Sequence, residues 1–310
     1  VREVPEPGLP PGGAVLDVLA CGICHSDLHA AAGDYPTALP IVLGHEVAGH
    51  HDRLGPVLVY ACWGCRRPDC WACSSAQEMI CPDATEAGLL RDGGYAERMA
   101  VPLEEYLVPL GDLDPAHAAP LACGGLTAYR AVDHTLPVLA AAARPRVLVI
   151  GAGGLGQFGL QWLKIRSGAE VTVVDASAAK REVALELGAD HVAAPGEVEG
   201  TFSAVVDFVG AEATLATARD HVARQGLVVV VGLYGGTTPF GFGAVPHEAR
   251  FMTSVWGSLA QMSDMVRLAQ QHPLHSPIEV IGLDDVPSAH ERLHRGDVSG
   301  RFVITPGATA

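Results

Sequence analysis

The chain has 310 residues, 49% of them hydrophobic, 18% charged and 5% aromatic, with a formal net charge of −15. This much apolar material excludes intrinsic disorder, and at about 100–200 residues per domain the length points to two domains. The excess of 35 acids over 20 bases argues against a nucleic-acid backbone or an anionic membrane as partner.

No apolar run approaches the roughly 18 residues that a membrane span needs. The first residues carry no basic segment followed by an apolar stretch, so a cytoplasmic protein is expected. Through residues 1–114 Gly, Pro, Cys and His are frequent, and short apolar runs at 15–19 and 57–60 read as strands bounded by turn residues. No long helical period runs through this part, which reads as mostly β and loop. The composition changes at Pro115. A buried-strand run at 146–150 is followed by a helix at 155–167, a strand at 171–174 and a helix at 178–187 closed by Gly188. Strands at 204–209 and 227–231 follow, with a helix between them. Such alternation specifies an α/β fold with a Rossmann-type, doubly wound parallel sheet. The expected division is a first domain over 1–114, a dinucleotide-binding domain over 115–252, and a return segment over 253–310 that completes the first domain. That return segment carries one helix near 262–271 and a last strand at 302–304.

Gly151-Ala152-Gly153-Gly154-Leu155-Gly156 lies where the first strand of that alternation meets its helix. The pattern alone is weak in a chain with 36 glycines, but the strand before it and the helix after it supply the context a pyrophosphate site needs. Gly151 serves the sharp turn, Gly153 the approach of the phosphates and Gly156 the packing of helix on strand, while the helix N-terminus offers free N–H groups. Asp175 follows the second strand at roughly the 20-residue spacing of an acid that accepts the adenosine ribose hydroxyls, which favours NAD over NADP. Lys180 and Arg181 nearby soften that preference. Val209 and Val231, at the ends of two later strands, complete the expected coenzyme set.

Eight cysteines are too few for a disulfide-stapled secreted scaffold, and their short spacings favour metal ligation in a reducing compartment. Cys65-x4-Cys70-x2-Cys73-x7-Cys81, with Cys62 just before it, suits a closed tetrahedral zinc site cross-linking a lobe with little core. Spacing leaves open which four of the five bind. A second set is dispersed: Cys24, His25, Ser26, Asp27 and His29; then His45 and Glu46; then Cys123. Soft or borderline ligands from three separate segments are what an open catalytic zinc requires, although any one of these residues alone is more often an ordinary core or surface residue. Cys21 reads as packing, and His50, His51, His117 and His134 also take the ordinary reading.

Together these segments resemble the zinc-dependent medium-chain alcohol dehydrogenases, close to bacterial NAD-linked members, over nearly the whole chain. The resemblance is carried by Cys21-Gly22-Ile23-Cys24-His25-Ser26-Asp27-Leu28-His29, by Gly44-His45-Glu46-Val47-Ala48-Gly49, and by Pro120-Leu121-Ala122-Cys123 through Thr127. It implies a mostly β, GroES-like catalytic domain in which Cys24, His45 and Cys123 bind a catalytic zinc, supported by Asp27 and Glu46. It implies Ser26 and His29 as a proton relay, His25 and Arg301 near the coenzyme pyrophosphate, and Thr127 beside the nicotinamide. It also implies a structural zinc on Cys65, Cys70, Cys73 and Cys81, and a homodimer or homotetramer joined through sheet edges of the coenzyme domain. The chain departs from the family pattern in several places. Arg66-Arg67-Pro68-Asp69 reads as an insertion in the cysteine loop, the segments at 49–52 and 195–201 are abbreviated, and the usual N-terminal strand is missing.

The implied reaction is reversible hydride transfer between a primary or secondary alcohol and NAD, giving aldehyde or ketone, with zinc as Lewis acid. Two rivals are a metal-free quinone or enone reductase, which the cysteines oppose, and a catalytically silent NAD-binding zinc protein. The second is opposed by the joint presence of Cys24, Ser26, His29, His45, Glu46 and Cys123.

Overall fold

The computed structural model describes residues 1–298 and 300–307. The chain divides into two compact units, one made of Val1–Leu126 with the residues from Gly257 onward and the other of Thr127–Trp256. The boundaries differ from the expected 114/115 and 252/253. The first lies beyond Pro115 because the short helices Pro115–Ala118 and Ala119–Ala122 pack on the strands Ala14–Gly22 and Glu46–His51 of the first unit.

In the first unit the strands run in the order Ile278–Ile281, Arg301–Ile304, Ala14–Gly22, Glu46–His51, Gly55–Val59 and Leu107–Pro109, and Arg98–Val101 also pairs with Ala14–Gly22. Leu16, Val18 and Ala20 are buried while Asp17 is exposed, the period-two pattern of a half-buried strand. The register sets Gly22 opposite Glu46 on one side and Val303 on the other. Three adjacent strands thereby carry Cys24, Glu46 and Arg301, distant in sequence, to one end of the sheet. The abbreviated 49–52 segment closes as a tight hairpin with His51 opposite Gly55, so the sheet continues across it. The reading of strand and loop throughout the first third misses the helix His25–Ala32. At about 3.6 residues per turn it is too short for an apolar stripe to repeat in the sequence. The return segment also holds a strand, Ile278–Ile281, and a helix, Val286–Arg295, that its irregular pattern did not signal.

In the second unit six parallel strands run in the order His191–Ala193, Glu170–Val174, Arg146–Ile150, Phe202–Asp207, Val222–Val230 and Arg250–Thr253. This is the doubly wound order of a Rossmann sheet. Val147, Leu148, Val149, Val205 and Val228 have no exposure, because strands covered on both faces need apolar residues in succession. The first strand sits between the second and the fourth, so the order reverses beside its carboxyl end, which is where open α/β sheets bind ligands. Among the described residues no helix is long and apolar enough to cross a membrane.

Candidate active site

Cys24 caps the helix His25–Ala32, and its backbone N–H donates to Asp27 Oδ2 at 2.8 Å. Asp27 is fully buried; its Oδ1 lies 3.0 Å from His45 Nδ1, and Tyr95 Oη donates to its Oδ2 at 2.9 Å. His45 stands at the mouth of the strand Glu46–His51, and Cys123 follows the turn Ala119–Ala122. These elements bring one ligand atom each of Cys24, His45, Glu46 and Cys123 within 4.8 Å of one another. None of the four residues is more than 8% exposed. Two thiols, an imidazole and a carboxylate in one dry cluster are a donor set that fits zinc.

The electrostatics follow from this crowding. A hydrogen bond with Cys123 draws the Cys24 thiol well below its ordinary value, against burial, and the same contact pushes Cys123 up. Burial works against a charge on His45, but Asp27 outweighs it and holds the imidazole above its usual value. Burial raises Glu46 to about 7 although the Arg301 guanidinium pulls it down. Arg301 is buried and forms an ion pair with Glu46. Ser26 Oγ lies 3.9 Å from Cys24 Sγ, and His25 and His29, both exposed, are on the same helix.

The cysteine lobe forms a second cluster. One ligand atom each of Cys65, Cys70, Cys73 and Cys81 lies within 4.8 Å of the others, with Cys70 and Cys81 sulfurs 3.6 Å apart and those of Cys65 and Cys73 3.9 Å apart. Cys62 is outside the cluster, on a strand, Cys62–Trp63, that pairs with Thr85–Glu86. Burial pushes the Cys62 thiol up. A backbone hydrogen bond helps bring Cys70 down to about 7, whereas burial raises Cys73 to about 12. The extra residues of this loop turn outward, with Arg66 at φ 55 and Arg67 Nη2 donating to Asp83 at 2.5 Å.

In the second unit Gly151 has φ 90, and a Cβ on Gly156 would fall on the Gly151 carbonyl oxygen, so both positions require glycine. Gly153 faces open space, with Gly154 and Leu155 beginning the helix Gly154–Arg166 behind it. Asp175 stands at this loop, accepting from the Ala152 N–H and the Ser177 N–H at 2.8 Å each. Arg181 Nη1 donates to the carbonyls of Asp175 and Ala176 at 2.7 and 3.1 Å. Lys180 lies on the helix Ala178–Glu186, and Val209 and Val231 lie just past their strands rather than within them. Thr127 is buried at the start of this unit.

Residues 10–112 match the family described as alcohol dehydrogenase GroES-like domain, and residues 154–271 the family described as zinc-binding dehydrogenase. An alcohol dehydrogenase of Geobacillus stearothermophilus is 33% identical to the chain, over 98% of this chain and 94% of its own length. The chain belongs to the zinc-dependent medium-chain alcohol dehydrogenases. A D-arabinose 1-dehydrogenase (NADP(+)) of Saccharolobus solfataricus is 34% identical over 98% of this chain and 93% of its own. The crystal structure of an alcohol dehydrogenase from Aeropyrum pernix superimposes with a TM-score of 0.87 at 30% identity, covering 98% of this chain and 96% of that one.

Two residues of this family member escape sequence reasoning. Tyr95 reaches Asp27 across a long stretch of chain, and nothing in Gly93-Gly94-Tyr95 marks it. Asp207 is fully buried, and its Oδ1 accepts from the N–H groups of Val209 and Gly210 at 2.8 and 3.0 Å, which shapes the loop beside Gly151. An acid closing the apolar run Ala204-Val205-Val206 is the signal that could have found it.

Proposed function

We propose that this protein catalyses reversible hydride transfer between a primary or secondary alcohol and NAD. The observation that carries the reading is the buried convergence of Cys24, His45 and Cys123 from three separate segments. Those three residues would hold a catalytic zinc, and Cys65, Cys70, Cys73 and Cys81 a structural one. When bound, the catalytic zinc supplies a Lewis acid that lowers the pKa of the alcohol hydroxyl, and the dinucleotide supplies the hydride acceptor. Asp27 engages His45 Nδ1 and so presents Nε2 as the ligand atom. Ser26 Oγ takes the hydroxyl proton and passes on its own, and the exposed His29 releases it to water. N–H groups at the start of the helix Gly154–Arg166 bind the pyrophosphate, and Asp175 accepts the ribose hydroxyls. A 2′-phosphate would be repelled by Asp175, and Arg181 is engaged by backbone carbonyls. The alcohol thus gives up one hydride and one proton and leaves as an aldehyde or ketone.

Metal analysis coupled to NADH absorbance with ethanol, 2-propanol and benzyl alcohol tests the reading. Zinc in the purified protein and NADH formation with at least one alcohol are expected. A metal-free protein that reduces a quinone with NADPH, or one that binds NAD without turnover, would overturn it.

The reading extends to a cytoplasmic homodimer or homotetramer. Among the described residues Arg250–Thr253 borders a single neighbouring strand in its sheet, and Phe240, edge-on against Phe251 at 5.6 Å, is 67% exposed. Light scattering that returns a monomer would remove the oligomer from the proposal.

A further inference from the structure

Glu86 ends the short strand Thr85–Glu86, opposite Cys62. Its carbonyl accepts from the N–H groups of Leu90 and Arg91 at 2.9 and 3.0 Å, so the chain turns back at once. The turn carries Gly88, at φ 69, onto Gly44: a Cβ on Gly88 would lie 2.5 Å from the Gly44 carbonyl carbon. Gly94 N–H then donates to the Gly44 carbonyl at 2.8 Å. Gly44 precedes His45, so Glu86 is set beside the segment that delivers the histidine of the Cys24–His45–Cys123 cluster. Its charge acts on two groups there. Burial raises the Glu86 carboxyl above its ordinary value and a charged His45 pulls it back. Burial also raises the Tyr35 hydroxyl, which a hydrogen bond with Ser26 lowers and the charges of Cys24 and Glu86 raise further.

We propose that Glu86 is a specificity-determining residue that selects alcohols carrying a protonated amine, its carboxylate receiving the ammonium while the hydroxyl lies at Ser26 and the Cys24–His45–Cys123 cluster. The proposal rests on the reading of that cluster as the alcohol site. The other acids near it are provided for: Asp27 has three hydrogen bonds, and Glu46 has Arg301. Glu86 is partly buried, and among the described residues its carboxylate has no hydrogen bond or ion pair. A carboxylate withdrawn from water without a partner is costly, so what covers it must supply one. Two thiolates and an imidazole that is neutral as a ligand balance the charge of a zinc ion, so the metal site offers Glu86 no net counter-charge. A plain alkyl alcohol would strip water from the acid and return nothing. A hydroxyl group would give it a hydrogen bond but leave the charge uncompensated. An ammonium supplies both the donor and the charge, and it favours the ionised carboxylate that burial opposes.

The test compares the intact zinc-loaded enzyme with Glu86→Gln on pairs of alcohols of nearly equal shape: ethanolamine with 1-propanol, 3-amino-1-propanol with 1-butanol, and 4-amino-1-butanol with 1-pentanol. In at least one pair the wild type should show a kcat/KM about 10–100-fold higher for the amino alcohol, the range that a hydrogen bond to a charged group gives. Glu86→Gln keeps the shape and removes the charge. It should abolish that preference while activity on the plain alcohol holds or rises, with zinc content unchanged. Calorimetric titration with the preferred amino alcohol should show binding at least roughly tenfold weaker in Glu86→Gln. Plain alcohols preferred in every pair, or one preference shared by wild type and Glu86→Gln, would overturn the proposal. Binding of an amino alcohol that depends on Glu86, in a protein that oxidises none of the six compounds, would uphold the subsite and remove the hydride-transfer reading instead.

Discussion

Asp27 gathers three hydrogen bonds on a carboxylate with no solvent exposure: Cys24 N–H at 2.8 Å, Tyr95 Oη at 2.9 Å and His45 Nδ1 at 3.0 Å. A buried carboxylate needs such partners, and here each also fixes something else. The first sets the start of the helix His25–Ala32, and the third sets the tautomer of the proposed zinc ligand. Tyr95 acts on both by holding the carboxylate still. Its own hydroxyl is pushed well above the ordinary value by burial and then by Asp27, so it stays protonated and remains a donor. Tyr95→Phe keeps the ring and removes the donor. The expected result is weaker zinc retention by roughly tenfold, at the low end of losses for partners of ligating histidines, measured by competition with a chelator. Zinc binding identical to the wild type would show that Asp27 is held without Tyr95.

At the scale of elements, the Lys164–Asp190 contact joins the helix Gly154–Arg166 to the turn before the strand His191–Ala193. Lys164 Nζ donates to the two Asp190 carboxylate oxygens at 3.0 and 2.8 Å, and Val171 N–H donates to Oδ2 at 2.7 Å. Burial alone would raise Asp190, but the Lys164 and Val171 hydrogen bonds outweigh it and hold the carboxyl below its usual range. Folding therefore favours the ionised form. The stabilisation is fully present above the unfolded aspartate pKa of about 3.9 and is lost as pH falls through the lower folded value. At this partly exposed site Asp190→Asn should cost no more than about 1 kcal/mol at pH 7. Urea unfolding should give that difference at pH 7 and a much smaller one at pH 3. A difference independent of pH would show that the charge contributes nothing.

The same elements show what can be read from sequence. Strands such as Arg146–Ile150 and Glu170–Val174 are legible because burial on both faces favours runs of β-branched and apolar residues. Val222–Val230 is longer than its expected span because Arg224 and Gln225 near its start are polar and exposed, which interrupts the apolar run. The cysteines and the histidine proposed as zinc ligands stand out in the sequence because their chemistry is rare, while Cys62 could be separated from the other four only by geometry. Tyr95 was not legible, since its contact with Asp27 comes from where the chain places it and not from residue type.

The first unit is assembled from both ends of the chain, since Arg301–Ile304 pairs directly with Ala14–Gly22. Its sheet is complete only with the two strands of the return segment, Ile278–Ile281 and Arg301–Ile304. The cysteine lobe differs from this sheet in how it is held together. Its buried cluster is Cys70, Ala72 and Cys81, which offers little apolar area, so the metal proposed for its four cysteines would supply much of its stability. The lobe is also tied to the return segment, because Glu78 Oε1 accepts from Leu259 N–H at 2.5 Å at the start of the helix Leu259–Gln271. Cys73→Ser removes one of the four sulfurs while Cys24, His45 and Cys123 remain. Zinc content should fall by the share held in the lobe, and limited proteolysis should cut between Cys62 and Glu86 at temperatures where Thr127–Trp256 stays intact. The Tm should also drop by several degrees, the shift that about 1–2 kcal/mol produces in a domain of this size. Undiminished zinc content with unchanged protease resistance would mean that packing, and not the metal, holds the lobe.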